Sequence, residues 1–246
     1  MKTTVPCKIT HSHMTLAEVA ARMGRENKMP QGSQITILSH GFNKSHDNMF
    51  YLSNGLNNHG INNIAVNLPL TYKSLEDCLA SFDSQVCDTV KKYDTVNFVG
   101  HSMGGLIIRA YIKKFGLENA GRCVFIATPH RGSRLAKISG YIPFYNDIYK
   151  PLKSLQPSAE NKYLLKNNIE IGLIAGSKND TVFGKMFLPA ESDGRVEIFS
   201  ALSDDAKDTI ILPYGHREIH HRKETLIQVK NFLAHGAFDK GENKTV

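Results

Sequence analysis

The sequence predicts a doubly wound α/β fold, a mostly parallel sheet with helices on both faces. Two observations carry that prediction. The strand-like segments are short, continuous apolar runs, the pattern of strands buried on both sides. They alternate with segments of helical periodicity, the order that builds a parallel sheet through helical crossovers. A third observation agrees with them: the residues with chemical potential fall just after strands, where open α/β sheets place their sites.

The elements follow in order. Residues 1–33 are polar, with a short helical pattern over 15–23 that finds no place in the sheet. Ile35-Thr36-Ile37-Leu38 is the first buried strand, ending at Ser39-His40-Gly41, and a helix is expected over 47–59. Residues 63–68 form the next strand and 75–93 the next helix. The run from Thr95 to Val99 enters Gly100-His101-Ser102-Met103-Gly104 and leaves as a helix reaching Phe115. Strands follow at 122–127, 170–175 and 209–212, and an amphipathic helix over 224–235 closes the chain. The 246 residues, 41% of them hydrophobic, suit a single domain over 1–246 with a sizeable core. The stretch 133–168 breaks the alternation. It is longer than an ordinary connection and is rich in aromatics, which argues for an ordered insertion.

The net charge is +7, but the basic residues are scattered and not interleaved with aromatics. That pattern fits a solvated basic surface and gives no nucleic-acid interface, while transient contact with a membrane surface stays open. The amino terminus has no apolar core of signal-peptide length, and no segment is long enough to span a bilayer, so a cytoplasmic location is expected. The four cysteines, Cys7, Cys78, Cys87 and Cys123, show no metal spacing and read as free thiols.

Ser102 stands at the apex of a strand–turn–helix, which exposes its hydroxyl to a substrate. A serine hydroxyl is a weak nucleophile at neutral pH. It needs a base, an orienting carboxylate for that base, and two backbone N–H donors for the developing oxyanion. One donor is the N–H of Met103 at the start of the following helix. The other is expected from the loop after the first strand, where Gly41 permits close approach and Phe42 supplies the N–H.

Together His40-Gly41-Phe42, Gly100-His101-Ser102-Met103-Gly104-Gly105 and Ala127-Thr128-Pro129-His130-Arg131-Gly132-Ser133 resemble the α/β-hydrolase fold, and within it the bacterial lipase and esterase group. The resemblance implies a serine hydrolase with the triad in the order serine, acid, histidine. It places the base after the last strand and before a closing helix with a Phe-Leu pair, here Phe232-Leu233, which selects His216 among eleven histidines. His220 and His221, beside Arg222 and Lys223, read as surface histidines. His216-Arg217-Glu218-Ile219-His220 does not fit a zincin, which needs Glu directly after the first His.

For the acid, the generic fold accepts Asp180, soon after the strand at 170–175. The lipase-like group favours an Asp-Gly-x-Val, which Asp193-Gly194-Arg195-Val196 matches. Asp193 is preferred and Asp180 is the alternative. Pro129 and Gly132 read as shaping a turn, with His130 and Arg131 bracing it. In this fold an insertion such as 133–168 packs over the site as a cap, so Tyr141, Phe144 and Tyr145 are expected to meet an apolar part of the substrate. The expectation is an esterase or lipase-like enzyme acting on a small-molecule or lipid ester, without metal or organic cofactor. Thioesterase, amidase and acyltransferase chemistry use the same triad, and a binding protein that keeps the fold is the reading from another class.

Overall fold

The computed structural model describes residues 32–132, 134, 164–165 and 169–241. Nearly all of the expected cap, including Tyr141, Phe144 and Tyr145, lies outside the described residues, as do Cys7 and the helical pattern over 15–23.

Among the described residues, six parallel strands form one sheet in the order β2-β1-β3-β4-β5-β6. They are β1 (Gln34–Ser39), β2 (Asn63–Val66), β3 (Thr95–His101), β4 (Ala120–Ile126), β5 (Ile171–Gly176) and β6 (Asp208–Leu212). The principal helices are α1 (Phe50–Asn58), α2 (Leu75–Lys92) and α3 (Met103–Phe115), with short α4 (Val182–Phe187) and α5 (Ile198–Ala201), and α6 (Lys223–His235) at the end.

The apolar runs are continuous because successive side chains of each strand enter different cores. Ile35 and Ile37 of β1 join Phe98, Phe125 and Leu173 beneath α2 and α3. Leu38 turns to the opposite face with Val99, Val124 and Ile174, beneath α1 and α6. This covering of both faces is what the composition of the strands demanded. Helix α2 starts at a reciprocal cap: Ser74 Oγ accepts from the Asp77 N–H, and the Asp77 carboxylate accepts from the Ser74 N–H. Its residues Cys78, Leu79, Phe82, Val86 and Val90 form one buried stripe.

Several boundaries differ from the sequence reading. The expected helix over 47–59 opens as a 3-10 turn (His46–Met49) before α1. The second strand stops at Val66, because the Leu68 N–H leaves the ladder to donate to His40 Nε2 at 2.9 Å. Helices α4 and α5 carried no signal beyond two turns of residues.

The strand order reverses direction between β1 and β3. The chain passes from β1 outward to β2, then crosses back to lay β3 on the other side of β1. Ser39 is in register with Gly100, so the loops that follow, His40-Gly41 and Ser102-Met103, emerge side by side. Such a reversal leaves a crevice at the carboxyl ends of the strands.

Candidate active site

Ser102 joins β3 directly to α3 and holds φ +53°, ψ −125°. This is a conformation that costs a non-glycine residue free energy and persists only where the surroundings impose it. Its N–H donates to the Ile126 carbonyl at 2.8 Å, and its own carbonyl accepts from the Gly105 N–H at 3.1 Å. The flanking glycines are required by contact. A β-carbon on Gly100 would lie 2.5 Å from Gly105 Cα, and one on Gly104 would lie 2.4 Å from the His40 carbonyl oxygen.

Three side chains distant in sequence converge here. Ser102 Oγ is 3.0 Å from His216 Nε2, and His216 Nδ1 is 2.7 Å from Asp193 Oδ2. The carboxylate can only accept, so Nδ1 carries the ring proton and Nε2 is left to accept from the serine hydroxyl. Asp193 is almost fully buried. Its other oxygen, Oδ1, accepts from the backbone N–H groups of Arg195 (2.9 Å) and Val196 (2.7 Å). The turn that supplies these donors relies on Gly194 at φ +85°.

Asp180 is not brought to the imidazole. It is half exposed and pairs with Lys178 at 3.2 Å. That hydrogen bond, with the nearby Glu218 carboxylate, raises the Lys178 pKa.

The loop after β1 lies against the serine. A β-carbon on Gly41 would be 3.0 Å from Ser102 Cβ, and Phe42 beside it is half-buried. His40 is fully buried. Because its Nε2 accepts from Leu68, its Nδ1 carries the proton and donates to the Gly41 carbonyl at 2.9 Å. Burial holds the His40 pKa down, against the Gly41 hydrogen bond that raises it. Met103, at the first position of α3, is buried, and its N–H sits at the positive end of the helix dipole.

The sequence reading missed a cluster behind His216. His220 is buried rather than on the surface. Its ring stacks on that of His101, with centroids 3.8 Å apart and planes 25° apart. His101 Nε2 reaches the His216 carbonyl at 3.1 Å. Asn48 faces both neighbouring histidines, its Oδ1 3.0 Å from His220 Nε2 and its Nδ2 3.3 Å from His221 Nε2. Burial drives the His101 pKa well below its ordinary range, reinforced by the His220 and His216 rings. Burial likewise takes the His220 pKa down to about 3, and partial desolvation with the nearby Lys44 and Arg222 charges lowers that of His221, which is exposed. Such contacts join residues more than a hundred positions apart and leave no local pattern; the one available signal was the abundance of histidines near Ser102 and His216.

The Thr128–Gly132 segment behaves as a braced turn. Gly132 N–H donates to the Pro129 carbonyl at 3.1 Å, and Arg131 reaches Asp204 at 2.7 Å. His130 is buried edge-on against Phe125. Beneath it, Arg109 of α3 is clamped by both oxygens of Asp205, at 2.5 and 3.0 Å. The acid loop is backed by α4, since a β-carbon on Gly184 would lie 2.7 Å from Gly194 Cα. That helix leaves Val182, Met186 and Phe187 exposed. Cys78, Cys87 and Cys123 form no disulfide. Among the described residues no group of three or more His, Cys, Asp or Glu is arranged to hold a metal ion, and no helix is long and apolar enough to cross a membrane.

The family model of the PGAP1-like alpha/beta domain matches residues 15–235. Among solved structures, the chain is similar to the mature form of lipase BlEst2 from Bacillus licheniformis, with a TM-score of 0.68 at 20% identity over 85% of this chain and 94% of that one. It is similar to a metagenomic carboxyl esterase, with a TM-score of 0.62 at 15% identity over 78% of this chain and 66% of that one. It is also similar to phospholipase PlaB from Legionella pneumophila, with a TM-score of 0.54 at 20% identity over 70% of this chain and 46% of that one. At these identities the likeness is one of fold. No curated protein matches the chain in sequence.

Proposed function

The chain belongs to the PGAP1-like alpha/beta domain family and has the α/β-hydrolase fold, and from that premise we propose that it is a serine hydrolase that cleaves carboxylic esters through an acyl-enzyme on Ser102. The observation that carries the reading is the unbroken hydrogen-bonded path from Ser102 Oγ through the His216 ring to the buried Asp193 carboxylate. A serine held at φ +53° at a strand–helix junction has no structural need of such a path.

In this mechanism His216 Nε2 takes the Ser102 proton as Oγ attacks the ester carbonyl. Asp193 holds the imidazole in the required tautomer and stabilises the imidazolium that forms. The carbonyl oxygen gains negative charge and is met by the N–H groups of Phe42 and Met103, the latter helped by the dipole of α3. The imidazolium then returns its proton to the departing alkoxide, releasing the alcohol and leaving the acyl group on Ser102. Water attacks that ester with His216 again as base, freeing the acid and restoring the serine. Every step is an acid–base or acyl-transfer step, so the reaction as written calls for no metal or organic cofactor.

Apolar side chains exposed on α4, next to the acid loop, support a substrate with an apolar acyl or alcohol portion, a small-molecule or lipid ester. Contact with such a portion by Tyr141, Phe144 and Tyr145 belongs to the same proposal. The test is labelling by a fluorophosphonate probe together with turnover of p-nitrophenyl esters of graded chain length. Wild-type protein is expected to label and to turn over, and Ser102→Ala to do neither. An unlabelled, inactive wild type overturns the reading.

A further inference from the structure

Building on the assignment of His216 as the base, we propose that His101 is a positioning residue for it, tying the backbone of the base to the strand that presents the nucleophile. Three observations support this. First, His101 Nε2 lies 3.1 Å from the His216 carbonyl oxygen. A carbonyl only accepts, so His101 is the Nε2–H tautomer and donates. Its Nδ1 has no hydrogen-bond partner among the described residues and faces Gly41, 3.3 Å from where a β-carbon on that residue would stand. The ring therefore occupies the space between the Gly41 loop and the base.

Second, the His101 ring is itself held. It stacks on His220 at 3.8 Å, and His220 Nε2 donates to Asn48 Oδ1 at 3.0 Å. Asn48 lies in the turn before α1, so the support behind His101 is anchored in a different element from the loop that carries the base.

Third, the His216 main chain is held at both of its polar groups. Its N–H donates to the Asp193 carbonyl at 2.9 Å, and its C=O accepts from His101. Asp193 holds one side of the residue. His101 holds the other, and His101 is the covalent neighbour of Ser102. The path Ser102, His101, His216 and back to Ser102 Oγ closes on itself, so the 3.0 Å separation of nucleophile and base is set by a residue adjacent to the nucleophile. Displacements of about 1 Å in such a pair cost on the order of a hundredfold in rate.

The experiment compares His101→Leu and His101→Gln with wild type in the full chain, by fluorophosphonate labelling, by kcat and KM on p-nitrophenyl butyrate, and by thermal melting. Leucine removes the donor; the glutamine amide places an N–H at nearly the same reach. We expect His101→Leu to lose about tenfold or more in kcat with KM within about twofold, and His101→Gln to recover most of the loss, the pattern of misplaced machinery rather than weakened binding. Equal losses in both variants, an unchanged kcat in His101→Leu, or a loss confined to KM would overturn the proposal. If His101→Leu does not fold, nitrogen-15 NMR of the wild-type histidines decides: the neutral Nε2–H tautomer of His101 at pH 7 is required, and the Nδ1–H tautomer or an imidazolium excludes it. A wild type that neither labels nor turns over sinks the underlying assignment. A labelling wild type matched by His101→Leu sinks this inference alone.

Discussion

Asp193 and His216 are joined twice. The ring Nδ1 of His216 lies 2.7 Å from Asp193 Oδ2, and the His216 backbone N–H donates to the Asp193 carbonyl at 2.9 Å. The second link holds the two loops together whatever becomes of the carboxylate. Asp193→Asn should therefore keep its fold while presenting the wrong group to Nδ1. We expect kcat for ester hydrolysis to fall by roughly 10³- to 10⁴-fold, with Asp180→Asn within about twofold of wild type because Asp180 pairs with exposed Lys178. A dead Asp180→Asn beside an active Asp193→Asn would reverse the assignment.

The His40 ring grips the Gly41 carbonyl through Nδ1 and the Leu68 N–H through Nε2. In a planar trans peptide the Phe42 N–H points away from the Gly41 C=O, so fixing that carbonyl fixes the proposed oxyanion donor. Asparagine can mimic the Nδ1 donor and glutamine the Nε2 acceptor. His40→Gln should lose about tenfold or more in kcat, less than the 10²–10³ of a deleted oxyanion donor, while His40→Asn retains more. Steady-state kinetics on one ester separates the two; the opposite ranking would refute the role.

Gly104 tolerates no β-carbon, since the atoms it would meet are the backbone oxygens of His40 and Ser39, at 2.4 and 2.5 Å. Backbone cannot move aside as a side-chain tip can. Gly104→Ala is expected to destabilise by about 1–3 kcal/mol and to reduce fluorophosphonate labelling. Urea unfolding and a labelling time course check both, and a variant matching wild type in both would show that the turn relaxes freely.

Acid should destabilise this protein earlier than carboxylate titration alone predicts. His40, His101, His130 and His220 are buried as neutral rings with lowered pKa, His220 at about 3, while their ordinary value is 6.5. Below pH 6.5 the unfolded chain takes up protons that the folded chain refuses. Stability is thus fully present above that value and is lost as the pH falls toward each folded pKa, by up to about 1.4 kcal/mol per pH unit for each such histidine. The urea midpoint should drop between pH 7.5 and 5.5, and His220→Gln, which keeps a donor for Asn48, should flatten the drop. Equal midpoints at the two pH values would contradict the burial of these rings as neutral species.

Much of the fold was legible locally. Runs such as Val124-Phe125-Ile126 are apolar at consecutive positions because each face of the strand has its own core. A periodicity of that kind survives in the sequence. The strand–turn–helix at Ser102 was equally legible: the Gly100 requirement is local, set by close contact with Gly105, while Gly104 and Gly105 are also pressed by residues distant in sequence, the His40 and Ser39 carbonyls and the Thr128 side chain. Where the reading erred, tertiary contact was the reason. The second strand ends early because His40 captures the Leu68 N–H, and the burial of His220 leaves no local signal because neither Asn48 nor His101, which pack on its ring, is near it in sequence.

By itself, then, the sequence determined the α/β class, the run of strands, the strained turn that bears Ser102 and two aspartates able to serve an imidazole. These follow from short-range sterics and from hydrophobic periodicity, which are written residue by residue. Only the tertiary structure decided which aspartate meets His216, because that depends on how two loops after different strands fold back on each other. The Asp193 turn spends one carboxylate oxygen on the Arg195 and Val196 N–H groups and leaves the other for the ring, while Asp180 finds Lys178 in solvent. The histidine cluster behind the base was decided in the same way, by elements packed across the sheet's edge of carboxyl ends.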